Sequence, residues 1–229
     1  MGNLAETLGQ TILLAGHYGS GKTNIALNLA VLLRRAGRDV TVIDLDIINP
    51  YFRLADGNSI LDQYGIDHIA PVYANTNVDI PALPPRIHSL LSDPTGTLIL
   101  DVGGDDTGAA ALGGFAEAIV QRGYEMLLTV NPFRPFTETA QDARQVAADI
   151  EQAARLKFTG LAANPNLGRE TTAETVLGAW PFCRDLAEQL NLPVVLTAVR
   201  QDLYTAVEGS VTGPLLPIEI LQKPGWDIF

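Results

Sequence analysis

The 229-residue sequence has a single cysteine, Cys183, so no intrachain disulfide can form. One thiol also argues against a cysteine-ligated metal or iron–sulfur site within one chain. Lysine is nearly as scarce, with only Lys22, Lys157 and Lys223. Against 15 basic side chains stand 26 acidic ones, for a formal net charge of -11. A surface this acidic repels nucleic-acid phosphates and anionic lipid, so neither nucleic acid nor membrane is expected as a partner. No apolar run approaches the length of a membrane span. The start, Met1-Gly2-Asn3-Leu4-Ala5-Glu6, has neither the basic residues nor the apolar core of a signal peptide. The expected compartment is the cytoplasm.

What is present is enough apolar material for a large core. Hydrophobic residues make up 47% and charged residues 18%, which favours one packed domain over disorder. Short apolar runs alternate with longer helical patterns. Strands are expected at Thr11–Ala15, Val40–Leu45, Thr97–Val102, Met126–Val130, Phe158–Ala163 and Pro193–Ala198, with a last edge strand at Pro217–Leu221. Helices are expected at Lys22–Ala36, Thr137–Leu156 and Thr172–Leu190, with Pro181 as a candidate interruption of the last. The stretch from Asn49 to Pro94 is rich in proline and reads as an excursion from the sheet, with short helices near Ser59–Tyr64 and Pro85–Ser92. This order predicts a single α/β domain over residues 1–229: a three-layer α/β/α sandwich on a mostly parallel sheet. Ligands of such sheets sit beyond the carboxyl ends of the strands.

The first strand end carries Gly16-His17-Tyr18-Gly19-Ser20-Gly21-Lys22-Thr23, a full match to the phosphate-loop pattern G-x-x-x-x-G-K-[ST]. It follows a strand and opens a helix, the context in which backbone N–H groups cradle phosphate oxygens. Lys22 is the charge for the β- and γ-phosphates, and the Thr23 hydroxyl suits Mg²⁺. Gly16 through Asn24 is the expected nucleotide-binding run. The second strand ends in Asp44-Leu45-Asp46, two acids on one side of the backbone. A cation, a polarised water or a capping role would each explain them. The strand Leu98-Ile99-Leu100-Asp101 ends in a third acid, followed by Gly103-Gly104, where the Gly104 N–H is placed to meet a γ-phosphate. Asp105 and Asp106 are either solvated or cap the next helix.

These residues carry a resemblance. The loop, the Asp44-Leu45-Asp46 strand end and the Asp101-x-Gly103-Gly104 turn look like the CobQ/CobB/MinD/ParA (SIMIBI) class of P-loop ATPases, and Asp44 through Arg53 resembles its uncharacterised ATP-binding members. The resemblance implies Mg-ATP as ligand and cofactor, with Asp46 orienting the attacking water and Thr23, Asp44, Asp46 and Asp101 around the metal. It implies that Asn164 meets the purine edge and that the active state is a nucleotide-sandwich homodimer. One position departs from the class. Its members carry a lysine just after the first glycine that reaches across the dimer; here His17 stands there, and Arg53 and Arg134 are candidate replacements.

A guanine reader needs an acid three residues after Asn164; the residue there is Leu167, which favours ATP over GTP. The loop from Ala198 to Asp202, with Arg200, is placed to close over the base. The loop from Asn131 to Phe136 reads either as a partner surface or as a lid packed on the core. For Cys183 a buried apolar role competes with a metal role. The main functional expectation is a slow ATPase acting as a switch on a protein partner. The competing readings are a biosynthetic enzyme of the dethiobiotin or cobyrinate synthetase type and a binding module without turnover.

Overall fold

The computed structural model describes residues 2–46, 58–70, 86–104 and 106–219. Among them lie eight strands: β1 (Thr11–Ala15), β2 (Val40–Leu45), β3 (Asp67–Ile69), β4 (Thr97–Val102), β5 (Glu125–Val130), β6 (Gly160–Ala163), β7 (Val194–Arg200) and β8 (Leu215–Ile218). They form one sheet in the order β3-β2-β4-β1-β5-β6-β7-β8. Every pairing is parallel, so all eight carboxyl ends lie along one edge. The helices are α1 (Gly2–Thr7), α2 (Lys22–Arg35), α3 (Asn58–Gln63), α4 (Arg86–Ser92), α5 (Asp106–Gly113), α6 (Ala116–Arg122), α7 (Ala140–Ala154), α8 (Ala173–Leu190) and α9 (Tyr204–Val207).

The sheet is covered on both faces, which is why its central strands are continuous apolar runs. Alternation divides their side chains between two cores. Ile12, Leu14, Val42 and Ile99 join α1, α2 and α3 on one face. Leu13, Ile43, Leu45, Leu100 and Val102 join α4 to α9 on the other. The same parity decides where the polar strand ends point. Asp44 follows Val42 by two residues, Asp101 follows Ile99 by two, and Asn164 follows Ala162 by two. All three therefore fall on the face of α2, whose first turn carries Lys22 and Thr23.

Arginines close the opposite, amino edge of the sheet. Arg38 donates to the carbonyls of Ala5, Leu8 and Gly9. Arg122 donates to the carbonyls of Leu90, Thr95 and Gly96 and to Thr11 Oγ1.

Several boundaries differ from expectation for local reasons. The Asn49–Pro94 stretch is not wholly outside the sheet: Asp67–Ile69 adds the edge strand β3, too short to show a period of its own. Pro181 does not interrupt α8, because Trp180 and Cys183 are buried on its core face and hold the helix through the proline. Helix α7 begins at Ala140 rather than Thr137, since the Thr137 hydroxyl is spent on the carbonyls of Asn131 and Arg134 and Thr139 caps Asp142 N. The last strand begins two residues early, at Leu215, and the expected positions 220 and 221 lie outside the described residues. No described helix is long and apolar enough to cross a membrane.

Candidate phosphate-binding site

The turn between β1 and α2 needs its glycines. Gly19 and Gly21 have φ values of 76° and 93°, in the left-handed region. A Cβ on Gly16 would stand 2.4 Å from the Thr129 carbonyl oxygen of β5, and one on Gly21 would stand 2.2 Å from Asn164 Nδ2. The loop is thus wedged between neighbouring strand ends. Lys22 is buried, and its Nζ donates to the carbonyls of Gly16 and His17 at 3.0 and 3.2 Å. Asn24 sits in the first turn of α2, where its carbonyl accepts from Asn28 Nδ2.

The acids gather where parity puts them. Asp44 and Asp101 are paired residues of neighbouring strands and both are buried. Asp101 Oδ2 accepts from Thr23 Oγ1 at 2.6 Å, while its buried Oδ1 has no hydrogen-bond partner among the described residues. Burial is the main force on this carboxyl and pushes it up to about 6, against the opposing pull of Lys22 and of the Thr23 hydroxyl; the charge of Asp46 adds to the rise. Asp44 Oδ1 accepts from Asp46 N at 2.8 Å, which turns the chain at the end of β2. Asp46 is half-buried, and a Cβ on Gly103 would meet its Oδ1 at 3.3 Å. Gly104 packs directly on the phosphate loop: a Cβ there would stand 2.6 Å from Tyr18 N. Only glycine allows that approach.

Asn164 has a role that its sequence context does not announce. Its Nδ2 donates to the Ser20 carbonyl at 2.6 Å, and the side chain is buried. A carbonyl can only accept, so the amide orientation is fixed, and Oδ1 is left buried without a donor among the described residues. In this structure Asn164 braces the phosphate loop. Arg200 is likewise engaged: it holds Asp202 through two nitrogens at 2.5 and 2.7 Å and donates to the carbonyls of Gly168 and Arg169. It ties the loop after β7 to the loop after β6.

The loop after β5 is fixed by Asn131, which the sequence places in this loop without a role of its own. Its Nδ2 donates to the Asn166 carbonyl at 2.8 Å and its Oδ1 accepts from Phe133 N. Phe136 is not a lid over the core: it is 59% exposed, with its ring on the His17 imidazole at 4.7 Å between centroids. Cys183 is fully buried, and burial pushes its thiol up to about 12, which fits the apolar role. The structure therefore brings together Gly16–Thr23, Asp44, Asp46, Asp101, Gly104 and Asn164, and sets Arg200 at the end of β7, three strands from β1. Asn49, Arg53 and Asp105 lie outside the described residues.

A model of the CobQ/CobB/MinD/ParA nucleotide-binding domain matches residues 12–177, from β1 into α8. No curated protein matches the chain. Among solved structures, cell division protein FtsY from Thermotoga maritima is similar at 15% identity and TM-score 0.53, over 84% of this chain and 66% of that one. FtsY from Mycoplasma mycoides is similar at 15% identity and TM-score 0.50, over 81% of this chain and 58% of that one. At this identity the likeness is one of fold, and the chain spans less than two thirds of those structures.

Proposed function

The chain belongs to the CobQ/CobB/MinD/ParA family of nucleotide-binding domains, and from that premise we propose that it binds Mg-ATP and hydrolyses it slowly, as a nucleotide-dependent switch. The observation that carries this reading is the Thr23–Asp101 contact at 2.6 Å, beside a buried Lys22 at the mouth of a phosphate loop. Lys22, now bound to the Gly16 and His17 carbonyls, would exchange them for phosphate oxygens.

The residues fit a magnesium ion. The Thr23 hydroxyl and Asp101 are hard oxygen donors, and Asp101 Oδ1 is a buried acceptor without a partner among the described residues. Among the described residues no three His, Cys, Asp or Glu side chains are grouped to hold a metal. Thr23 and Asp101 would therefore share the ion with phosphate oxygens and water, with Asp44 behind them, as Mg²⁺ prefers. Bound there, Mg²⁺ would offset charge on the β- and γ-phosphates. Asp46, half-buried beside Gly103, would orient the attacking water. Gly104, in contact with the phosphate loop, would register loss of the γ-phosphate.

Adenine is the proposed base, because Leu167, 40% exposed, stands where an acid would be needed to read guanine. Asn164 and Arg200 enter this reading as braces that shape the base end. The sandwich homodimer and a protein partner belong to the same proposal, on the family resemblance alone.

Calorimetric titration of the wild-type chain and Lys22→Ala with Mg-ATP and Mg-GTP tests it. Tight Mg-ATP binding by the wild type, lost in Lys22→Ala, is expected. Undiminished binding by Lys22→Ala would sink the phosphate-site assignment, and preference for GTP would sink the base assignment.

A further inference from the structure

The phosphate loop has a second wall, outside its own motif. After β5 the chain makes a short loop whose backbone is pinned on both sides of Arg134. Arg134 N donates to the Asn131 carbonyl at 3.1 Å, and the Arg134 carbonyl accepts from Thr137 N and from Thr137 Oγ1, each at 3.1 Å. From this fixed backbone the Arg134 side chain runs along the phosphate loop. A Cβ on Gly19 would stand 3.7 Å from Arg134 Cδ and 3.8 Å from its Nε. Two residues on, Phe136 takes the left-handed conformation, φ 64°, and lays its ring on His17. One ring contact thus joins the two loops at His17, and the Arg134 side chain lies beside Gly19.

The guanidinium of Arg134 has no hydrogen-bond acceptor and no carboxylate partner among the described residues. Arg38, Arg122 and Arg200 differ: each is spent on carbonyls or a carboxylate. Among the described residues the local charge balance is also acidic. Lys22 shares its surroundings with Asp101 and Asp46, and a triphosphate would add several negative charges. A planar, permanently charged group at an N–H-rich turn is suited to a phosphate oxygen.

We propose that Arg134 is a phosphate-binding residue of this site, acting from the same chain as the loop it lies on, and that its guanidinium takes an oxygen of the β- or γ-phosphate of the bound nucleoside triphosphate. The inference rests on the phosphate-site reading above and adds to it a residue from a separate loop.

The test compares wild type, Arg134→Ala and Arg134→Lys by calorimetric titration with Mg-ATP. It is run at protein concentrations where sedimentation shows monomers, alongside thermal unfolding without and with Mg-ATP. The exposed, unpartnered side chain should leave the nucleotide-free melting temperature of Arg134→Ala at the wild-type value. Its Mg-ATP affinity should fall about tenfold to hundredfold, and the nucleotide-induced rise in melting temperature should shrink with it. Arg134→Lys should recover part of both. Unchanged affinity in Arg134→Ala overturns the proposal. So does a loss that accompanies a lower nucleotide-free melting temperature, or one that appears only where the chain self-associates. A wild-type chain that binds no Mg-ATP would overturn the phosphate-site reading itself, which separates the two failures.

Discussion

Thr23 Oγ1 and Asp101 Oδ2 stand 2.6 Å apart although 78 positions separate them in the chain. The contact joins the first turn of α2 to the carboxyl end of β4, and it occupies only one of the two oxygens of a buried carboxylate. The protonation of Asp101 therefore reports on the site.

The folded state raises the Asp101 carboxyl from its ordinary value to about 6. A raised carboxyl favours the protonated form, so its stabilising contribution is full below the ordinary value and is lost as pH rises through about 6. Asp101→Asn mimics the protonated form. Without nucleotide, its stability advantage over wild type should grow between about pH 4 and pH 7, by on the order of 1–3 kcal/mol. Denaturant titrations across that range check it; a constant difference would contradict the assignment. Mg-ATP affinity of the wild type should run the other way and weaken as pH falls through 6.

Asp46→Ala removes a side chain but keeps the Asp46 N–H bond to Asp44 Oδ1, so the turn after β2 should survive. Mg-ATP binding should be retained while turnover falls by at least about a hundredfold. Phosphate release assays at saturating Mg-ATP measure this, and unchanged turnover would remove Asp46 from the chemistry.

Asn164→Ala leaves the Ser20 carbonyl without its donor. The expected loss is about 1–3 kcal/mol of stability, together with weaker nucleotide binding. Asn164→Asp should be worse, because an ionised carboxylate would then face a carbonyl. A melting temperature unmoved by both variants would show that the brace carries no weight.

Cys183 is fully buried and its thiol is pushed up to about 12. Little thiolate exists at neutral pH, and access is closed. A thiol reagent should label the native chain only at the rate at which α8 opens, and label it fully in denaturant. Rapid labelling without denaturant would contradict the packing.

The parts of the fold that were legible in the sequence were the ones with strong local signals. β1, β2 and β4 are central, apolar and bounded by turns, and their limits were readable to the residue. Elements held by tertiary contacts were not. β3 is three residues long, α1 is six, and α8 passes a proline that propensity would use to end it. The site divides in the same way. The phosphate loop and the acidic strand ends follow from motif and parity. Asn131, Asn164 and Arg200 were ambiguous because a polar side chain near a turn gives no sign of which distant carbonyl it serves. The placement of Arg134 along Gly19 needed the path of a whole loop.

Asn28, buried on α2, donates through Nδ2 to the Glu219 carbonyl at 2.9 Å and accepts from Glu219 N at 2.9 Å. An amide side chain offers one donor and one acceptor side by side, as a strand backbone does. Just past the end of β8, helix α2 thus acts as one further rung of the sheet. The helix that begins at the phosphate loop is thereby tied to the chain leaving the edge strand β8, so strain introduced at residue 219 should be felt at Lys22.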